Sequence, residues 1–189
     1  MRKILSIFAA VAVMAATVGC DAVRQVAGAY NFVNCEYEYN SLSNLTVAGI
    51  DLSKGEIGPM QVIQLTSLLT GKSQSIPLAM TVNVDITNPN LTEAMMEGMQ
   101  YILSIDGIQF TSGELEKPLN IPAGGKQTMP MKIGVDLKTL LTGDTADTTV
   151  KAIKNIAGIG NEASKVTLQL KPSFKFGNTP WTAPTYIPV

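Results

Sequence analysis

Residues 76–110 read IPLAMTVNVDITNPNLTEAMMEGMQYILSIDGIQF, and the period of this stretch decides the fold. Ile76, Leu78, Met80, Val82, Val84 and Ile86 share one register, while Ala79, Thr81, Asn83, Asp85 and Thr87 share the other. Apolar residues at every second position over about a dozen residues predict a strand with one buried face, Val82 and Val84 inward and Asn83 and Asp85 outward. Asn88-Pro89-Asn90 ends it, because Pro89 has no amide proton for a ladder and the residue before a proline avoids the helical region. Leu91 to Met99 predicts a short helical turn, with Thr92 as N-cap, Glu93 in the first turn and Met95, Met96 and Met99 on one helical face. Alternation resumes at Tyr101, Leu103 and Ile105. Asp106-Gly107 is a tight-turn signal before Ile108 and Phe110, so this half of the stretch reads as a β-hairpin.

The same grammar extends outward. Beyond the turn Pro122-Ala123-Gly124-Gly125, Met129, Met131, Ile133 and Val135 alternate, and Val166, Leu168 and Leu170 alternate with Lys165, Thr167, Gln169 and Lys171. Upstream, Leu45, Val47, Ile50 and Leu52 belong to an earlier strand, and Cys35-Glu36-Tyr37-Glu38-Tyr39 alternates as well. Strands this short, about six to eight of them between Gly and Pro turns, predict a mainly β chain folded as a two-sheet antiparallel β-sandwich. Helical spacing is confined to two segments: Met60 to Leu69, with Val62, Leu65 and Leu69 on one side, and Thr149 to Ile159, with Val150, Ile153 and Ile156 or Ala157 on one side. They predict short peripheral helices, the second inside a helical insert at about residues 137–164. Gly107, Gly113 and Gly125 mark positions expected to need a positive φ or a bulge.

Composition excludes several function classes. Of 189 residues, 46% are apolar and 15% charged, enough for a real core and too apolar for disorder. Histidine is absent, which removes Ser-His-Asp and Cys-His catalysis and imidazole metal ligation together. The net charge is −1, and removal of Arg2 and Lys3 leaves 12 basic against 15 acidic residues, or −3. No basic stripe is present, so nucleic acid is not an expected partner.

The N-terminus carries an address. Met1-Arg2-Lys3 is basic, and Ile4 to Val18 is uncharged and too short for the ~20 residues of a spanning helix, the pattern of a signal peptide over residues 1–19. Thr17-Val18-Gly19-Cys20 resembles the lipobox of bacterial lipoproteins, although Thr17 stands where Leu is usual. The resemblance implies diacylation of Cys20 and a tether over residues 20–34, ahead of one domain over 35–189. With Cys20 lipidated, Cys35 has no intramolecular partner and reads as a buried thiol, since nothing basic adjoins it to lower its pKa.

A search for chemistry finds no catalytic, cofactor-binding or metal-ligating set. Gly124-Gly125-Lys126 lacks the spacing of a phosphate loop. Glu36 with Glu38, and Glu114 with Glu116, share strand faces but read as solvated rather than as acid/base pairs. Asp144 and Asp147 resemble a loose calcium loop without the remaining ligands. The asparagines of Asn88-Pro89-Asn90 read as turn formers that bond to local backbone.

Taken in order, the alternating strand, Asn88-Pro89-Asn90, the IDG turn at residues 105–107, Gly113, PLNIPAGGK at 118–126 and MPMKIGVDL at 129–137 resemble the type 2 late embryogenesis abundant (LEA) domain, also called WHy. LTVAGIDL at 45–52 and the segment from Leu168 to Val189 are similar to its bacterial lipoprotein members. The likeness spans about residues 35–188 and implies an immunoglobulin or fibronectin III-like sandwich linked to desiccation and other stress, with no catalytic residues to transfer. The helical insert is longer than in the plainest members. The expected protein is thus a non-enzymatic, lipid-anchored component of the bacterial cell envelope, at the outer membrane, which stabilises its surroundings under stress. The alternatives are a binding module for an apolar ligand held between sandwich and helices, which an apolar pocket above about 300 Å³ would favour, and a subunit of a surface assembly among other envelope proteins.

Overall fold

The computed structural model describes residues 21–53, 57–70 and 73–189. The expected signal peptide over 1–19, its lipobox and the expected lipidation site Cys20 lie outside the described residues. Helix α1 covers 21–33, followed by strands β1 (Glu36–Val47) and β2 (Ile50–Asp51), helix α2 (Pro59–Thr70) and strands β3 (Pro77–Thr87), β4 (Ala94–Met96) and β5 (Gly98–Ile105). Then come β6 (Ile108–Leu115), β7 (Leu119–Ile121), β8 (Lys126–Asp136), helix α3 (Ala146–Ile156), β9 (Val166–Phe176), β10 (Thr179–Thr182) and β11 (Ile187–Pro188).

The alternating stretch builds the first sheet. Leu78, Met80, Val82, Val84 and Ile86 of β3 are all buried, and β3 lies between β1 and β8 in the order β2-β1-β3-β8. Its ladder with β8 runs unbroken from Pro77 opposite Asp136 to Thr87 opposite Lys126. Pro130 interrupts none of this order because β8 is an edge strand, where a missing amide proton is tolerated. The second sheet has the order β10-β9-β5-β6, with β11 also on β9, and β4 pairs with β7 as a separate ribbon. Every pairing is antiparallel. The two larger sheets enclose one core in which β3 and β8 face Leu103 and Ile105 of β5 and Leu168, Leu170 and Phe174 of β9. The protein is the mainly β antiparallel sandwich, with short helices, that its periodicity predicts.

The turns follow the residues. Asp106 (φ +51°) and Gly107 (φ +82°) both adopt the left-handed conformation that a two-residue hairpin of matching twist requires, joining β5 to β6. Gly113 has a different reason from the expected bulge or positive φ. It stands opposite Tyr101, and a Cβ there would come within 2.6 Å of the tyrosine hydroxyl, so the missing side chain is the seat of the aromatic ring.

Three expectations are corrected. The helical turn expected from Leu91 to Met99 is absent; Ala94–Met96 is strand β4, paired with Leu119–Ile121, and Met99 lies on β5. Tertiary pairing overrides the local pattern, so Met95, Met96 and Met99 share no helical face. Residues 20–34 are not a loose tether within their described part, since 21–33 are helical and Ala29 and Phe32 lie in the core. The outward face of β3 is not simply solvated. Thr81 and Asp85 are buried beneath polar neighbours, with Asn40 Nδ2 (3.0 Å) and Thr128 Oγ1 (2.6 Å) donating to Asp85 and Lys126 Nζ at 2.9 Å from it. Asn83 Nδ2 donates to Ser41 and Ser43 on β1 in the same polar layer. The two expected helices are present as α2, burying Leu65 and Leu69, and α3, burying Thr149, Ala152 and Ile153.

Candidate functional site: an apolar cleft between the sheets

The residues singled out in the sequence do not converge on a reactive centre. Glu36, Glu38, Glu114 and Glu116 are exposed; Glu38 lies 3.7 Å from Lys126 Nζ, and Gln100 Nε2 donates to Glu114 at 2.8 Å. Asp144 lies in a short 3-10 turn and Asp147 in the first turn of α3. Among the described residues no group of three or more Cys, Asp or Glu side chains could hold a metal ion. Cys35 is buried just before β1, its Sγ 3.4 Å from the Asn31 carbonyl it donates to. Burial first, and Glu36 second, push its thiol up to about 11, so it stays protonated and a poor nucleophile.

Asn88 and Asn90 form a junction rather than a ligand site. Asn88 is fully buried; its Nδ2 donates to the carbonyls of Thr92 (2.9 Å), Ile121 (3.0 Å) and Pro122 (3.1 Å), and its Oδ1 accepts from the Asn90 backbone and side chain. Asn90 Nδ2 in turn donates to Asn31 O at 3.1 Å, and Asn31 Nδ2 donates to Thr92 Oγ1 at 2.7 Å. Through this network the end of β3 and the β4–β7 ribbon grip α1. Arg24 adds an ion pair with Glu93, which also accepts from Asn120 Nδ2 at 2.9 Å. The Arg24 guanidinium and then Asn120 hold the Glu93 carboxyl at about 2.

At the opposite end the sheets part around an apolar cleft of about 370 Å³. One wall is Leu42 of β1 with Met80 and Val82 of β3; the other is Ile105 of β5 with Val166 and Leu168 of β9. Ile156 of α3 and Val189 close its ends, and exposed Tyr39 and Val166 stand at its rim. The one hydroxyl besides that of Tyr39 belongs to Ser164, which donates to Asp106 Oδ2 (3.0 Å) and Ala152 O (3.4 Å). Asp106 also accepts from Lys165 N at 2.8 Å, so the hairpin turn clamps the segment after α3 against the cleft. Apart from these two hydroxyls the lining is apolar, and it offers room for an apolar molecule. Of the two expected peripheral helices only α3 contributes to the lining, through Ile156, and no α2 residue does.

Sequence reading missed these residues as a site because they carry the ordinary core alternation of four strands. No separate signal marks a core position whose opposing side chain stops short. Asp106 was legible only as a turn former; its clamp on Ser164 and Lys165 spans 58 and 59 residues of chain.

Residues 83–188 match the family model described as late embryogenesis abundant protein (LEA_2). Among solved structures, a protein from Archaeoglobus fulgidus is 11% identical with a TM-score of 0.37, covering 79% of this chain and 94% of its own. A protein from Arabidopsis thaliana, solved in solution, is 12% identical with a TM-score of 0.45, covering 82% of this chain and 78% of its own. A third, provisionally called a late embryogenesis abundant protein, is 11% identical with a TM-score of 0.38 and covers 94% and 86%. No curated protein matches the chain.

Proposed function

The chain belongs to the late embryogenesis abundant protein family, and from that premise we propose that it is a non-catalytic binding module, lipid-anchored in the cell envelope through Cys20, whose cleft takes up an apolar molecule. The cleft carries this reading: its volume of about 370 Å³ lies within the usual range of ligand sites, and both walls are aliphatic. The anchor reading is supported by the sequence around Cys20, where a basic start and an uncharged run end in small residues directly before the cysteine. The non-catalytic reading is supported by the exposure of Glu36, Glu38, Glu114 and Glu116, by the engagement of Asp85 and Glu93 in structural hydrogen bonds, and by a protonated, buried thiol. Protection of neighbouring surfaces when water is withdrawn is the second reading, favoured by the family itself.

A naphthylamine dye that brightens in apolar surroundings separates the two. The wild type should take up the dye saturably, and Val82→Phe, which fills the cleft from within, should lose most of the uptake while its melting temperature stays within about 5 °C. Equal uptake by both proteins, or none by the wild type, would remove the binding reading and leave the protective one.

A further inference from the structure

The outer face of α1 carries a run of exposed apolar side chains. Val23 is 70% exposed, Val26 55%, Tyr30 69% and Val33 40%, and these positions recur at the spacing of one helical stripe. Ala22 and Ala27 flank the stripe and are exposed as well. The opposite face, with Gly28, Ala29, Asn31 and Phe32, is buried against the domain. The charged residues of the helix are Asp21 at its start and Arg24, which is engaged by Glu93. A helix that is apolar on its inward face and again on its outward face is the pattern of a helix covered on both sides.

We propose that the outer stripe of α1 lies on the lipid surface to which Cys20 tethers the chain, so that α1 is a membrane-facing plate and not a linker. Two observations select a lipid surface over a second copy. The stripe begins three residues after Cys20, so the anchor itself delivers this face to the bilayer. On side chains of this size the four exposures sum to roughly 400 Å², about half of the ~800 Å² per partner that a stable protein interface buries. A surface already held by an anchor needs no such area. Tyr30 suits the headgroup layer, with an apolar ring and a polar tip. The helix has no basic excess, so the contact depends on the anchor for its persistence and on the stripe for its orientation.

The inference rests on the anchoring at Cys20, and the test supplies that anchor chemically so that the two stand or fall separately. The chain from Cys20 onward contains every described element, and its Cys20 thiol can be coupled to a maleimide-headgroup lipid while buried Cys35 does not compete. In a Trp181→Phe background, Tyr30→Trp reports on the stripe, and Thr148→Trp, exposed on α3 at the cleft end, is the control. On phosphatidylethanolamine/phosphatidylglycerol vesicles carrying nitroxide headgroup lipids, the position-30 indole should be blue-shifted and quenched several-fold more than the position-148 indole. Adding Val23→Asp and Val26→Asp should abolish that difference without changing the melting temperature. Equal, water-like emission and equal quenching at both positions would overturn the proposal. A blue shift at position 30 without quenching, lost as protein is diluted on the vesicle, would overturn it in favour of a second copy of this chain.

Discussion

The carboxamide of Asn88 joins the end of β3, the turn after it and the end of β7 through bonds that no apolar residue can replace. Asn88→Ala removes a donor from three carbonyls, of which Thr92 O keeps Asn31 Nδ2 and Pro122 O keeps Gly125 N, and takes the acceptor from the Asn90 amide. The loss should be about 2 kcal/mol in urea unfolding. A loss below about 1 kcal/mol would mean that water replaces the side chain there. Asp85 and Glu93 make a second prediction through their titration. Both carboxyls are held at about 2, Asp85 by Thr128 and Asn40 and then Lys126, Glu93 by Arg24 and then Asn120. Because the folded values lie below those of the unfolded chain, the stability they contribute is present above about pH 4 and is lost as the pH falls toward 2. The double variant Asp85→Asn, Glu93→Gln should therefore be less stable than the wild type at neutral pH and should show a shallower loss between pH 4 and 2. Parallel acid profiles would show that neither group is coupled to folding. The sequence placed Asn88 in an Asx turn correctly, and Asp85 on the right face. Its partners were hidden because Asn40, Lys126 and Thr128 meet it only through pairing with β1 and β8.

Among the elements, legibility follows how far each depends on local period. β3, the β5–β6 hairpin, β8 and β9 carry a two-residue period sustained by burial on one face, and α2 and α3 carry a helical one. β4 has only three residues, and its strand character comes from β7, so a local pattern with an N-cap-like Thr92 pointed the wrong way. The hydroxyl of Thr92 instead accepts from Asn31, and its carbonyl accepts from Asn88 and Asn31. The helix α1 was missed because its sequence is apolar nearly all round and gives no amphipathic signal. Phe32 tests its standing as part of the fold. The ring is fully buried, edge-on to Tyr37 at 6.0 Å and to Phe174 at 6.3 Å between centroids. Phe32→Ala should cost about 3–5 kcal/mol and expose residues 21–33 to limited proteolysis before the strands are cut. A dispensable tether would instead tolerate the change within about 0.5 kcal/mol.

At the scale of the whole molecule, the cleft and the N-terminal helix stand at opposite ends of the sandwich. β9 spans them: Val166 and Leu168 line the cleft, and Phe174 meets Phe32 of α1 some six to eight residues later, a separation of roughly 20–26 Å along an extended strand. A void between sheets is a property of shape, and the alternation that builds its walls is the same whether the space is filled or open, which is why it could not be read from the sequence. With α1 docked against the core and Cys20 directly before it in sequence, an anchor at that cysteine would hold the α1 end of the sandwich, the end away from the cleft. This arrangement makes the anchor question decisive. Two or more acyl chains give stable attachment where one chain or an apolar stripe gives only a marginal and reversible hold. Replacing residues 1–20 with a cleavable secretory peptide should therefore release the domain from the detergent-extracted membrane fraction after a dilution wash, with α1 providing at most weak rebinding. The same peptide placed before an intact lipobox and Cys20 should restore the membrane fraction. Cys20→Ala in the native precursor is the poorer comparison, since an uncleaved Ile4 to Val18 would serve as an accidental anchor. The lipid-anchor reading fails if the released domain stays as firmly bound as the wild type, because the net charge of −3 and the absence of a polybasic segment leave it no other strong attachment.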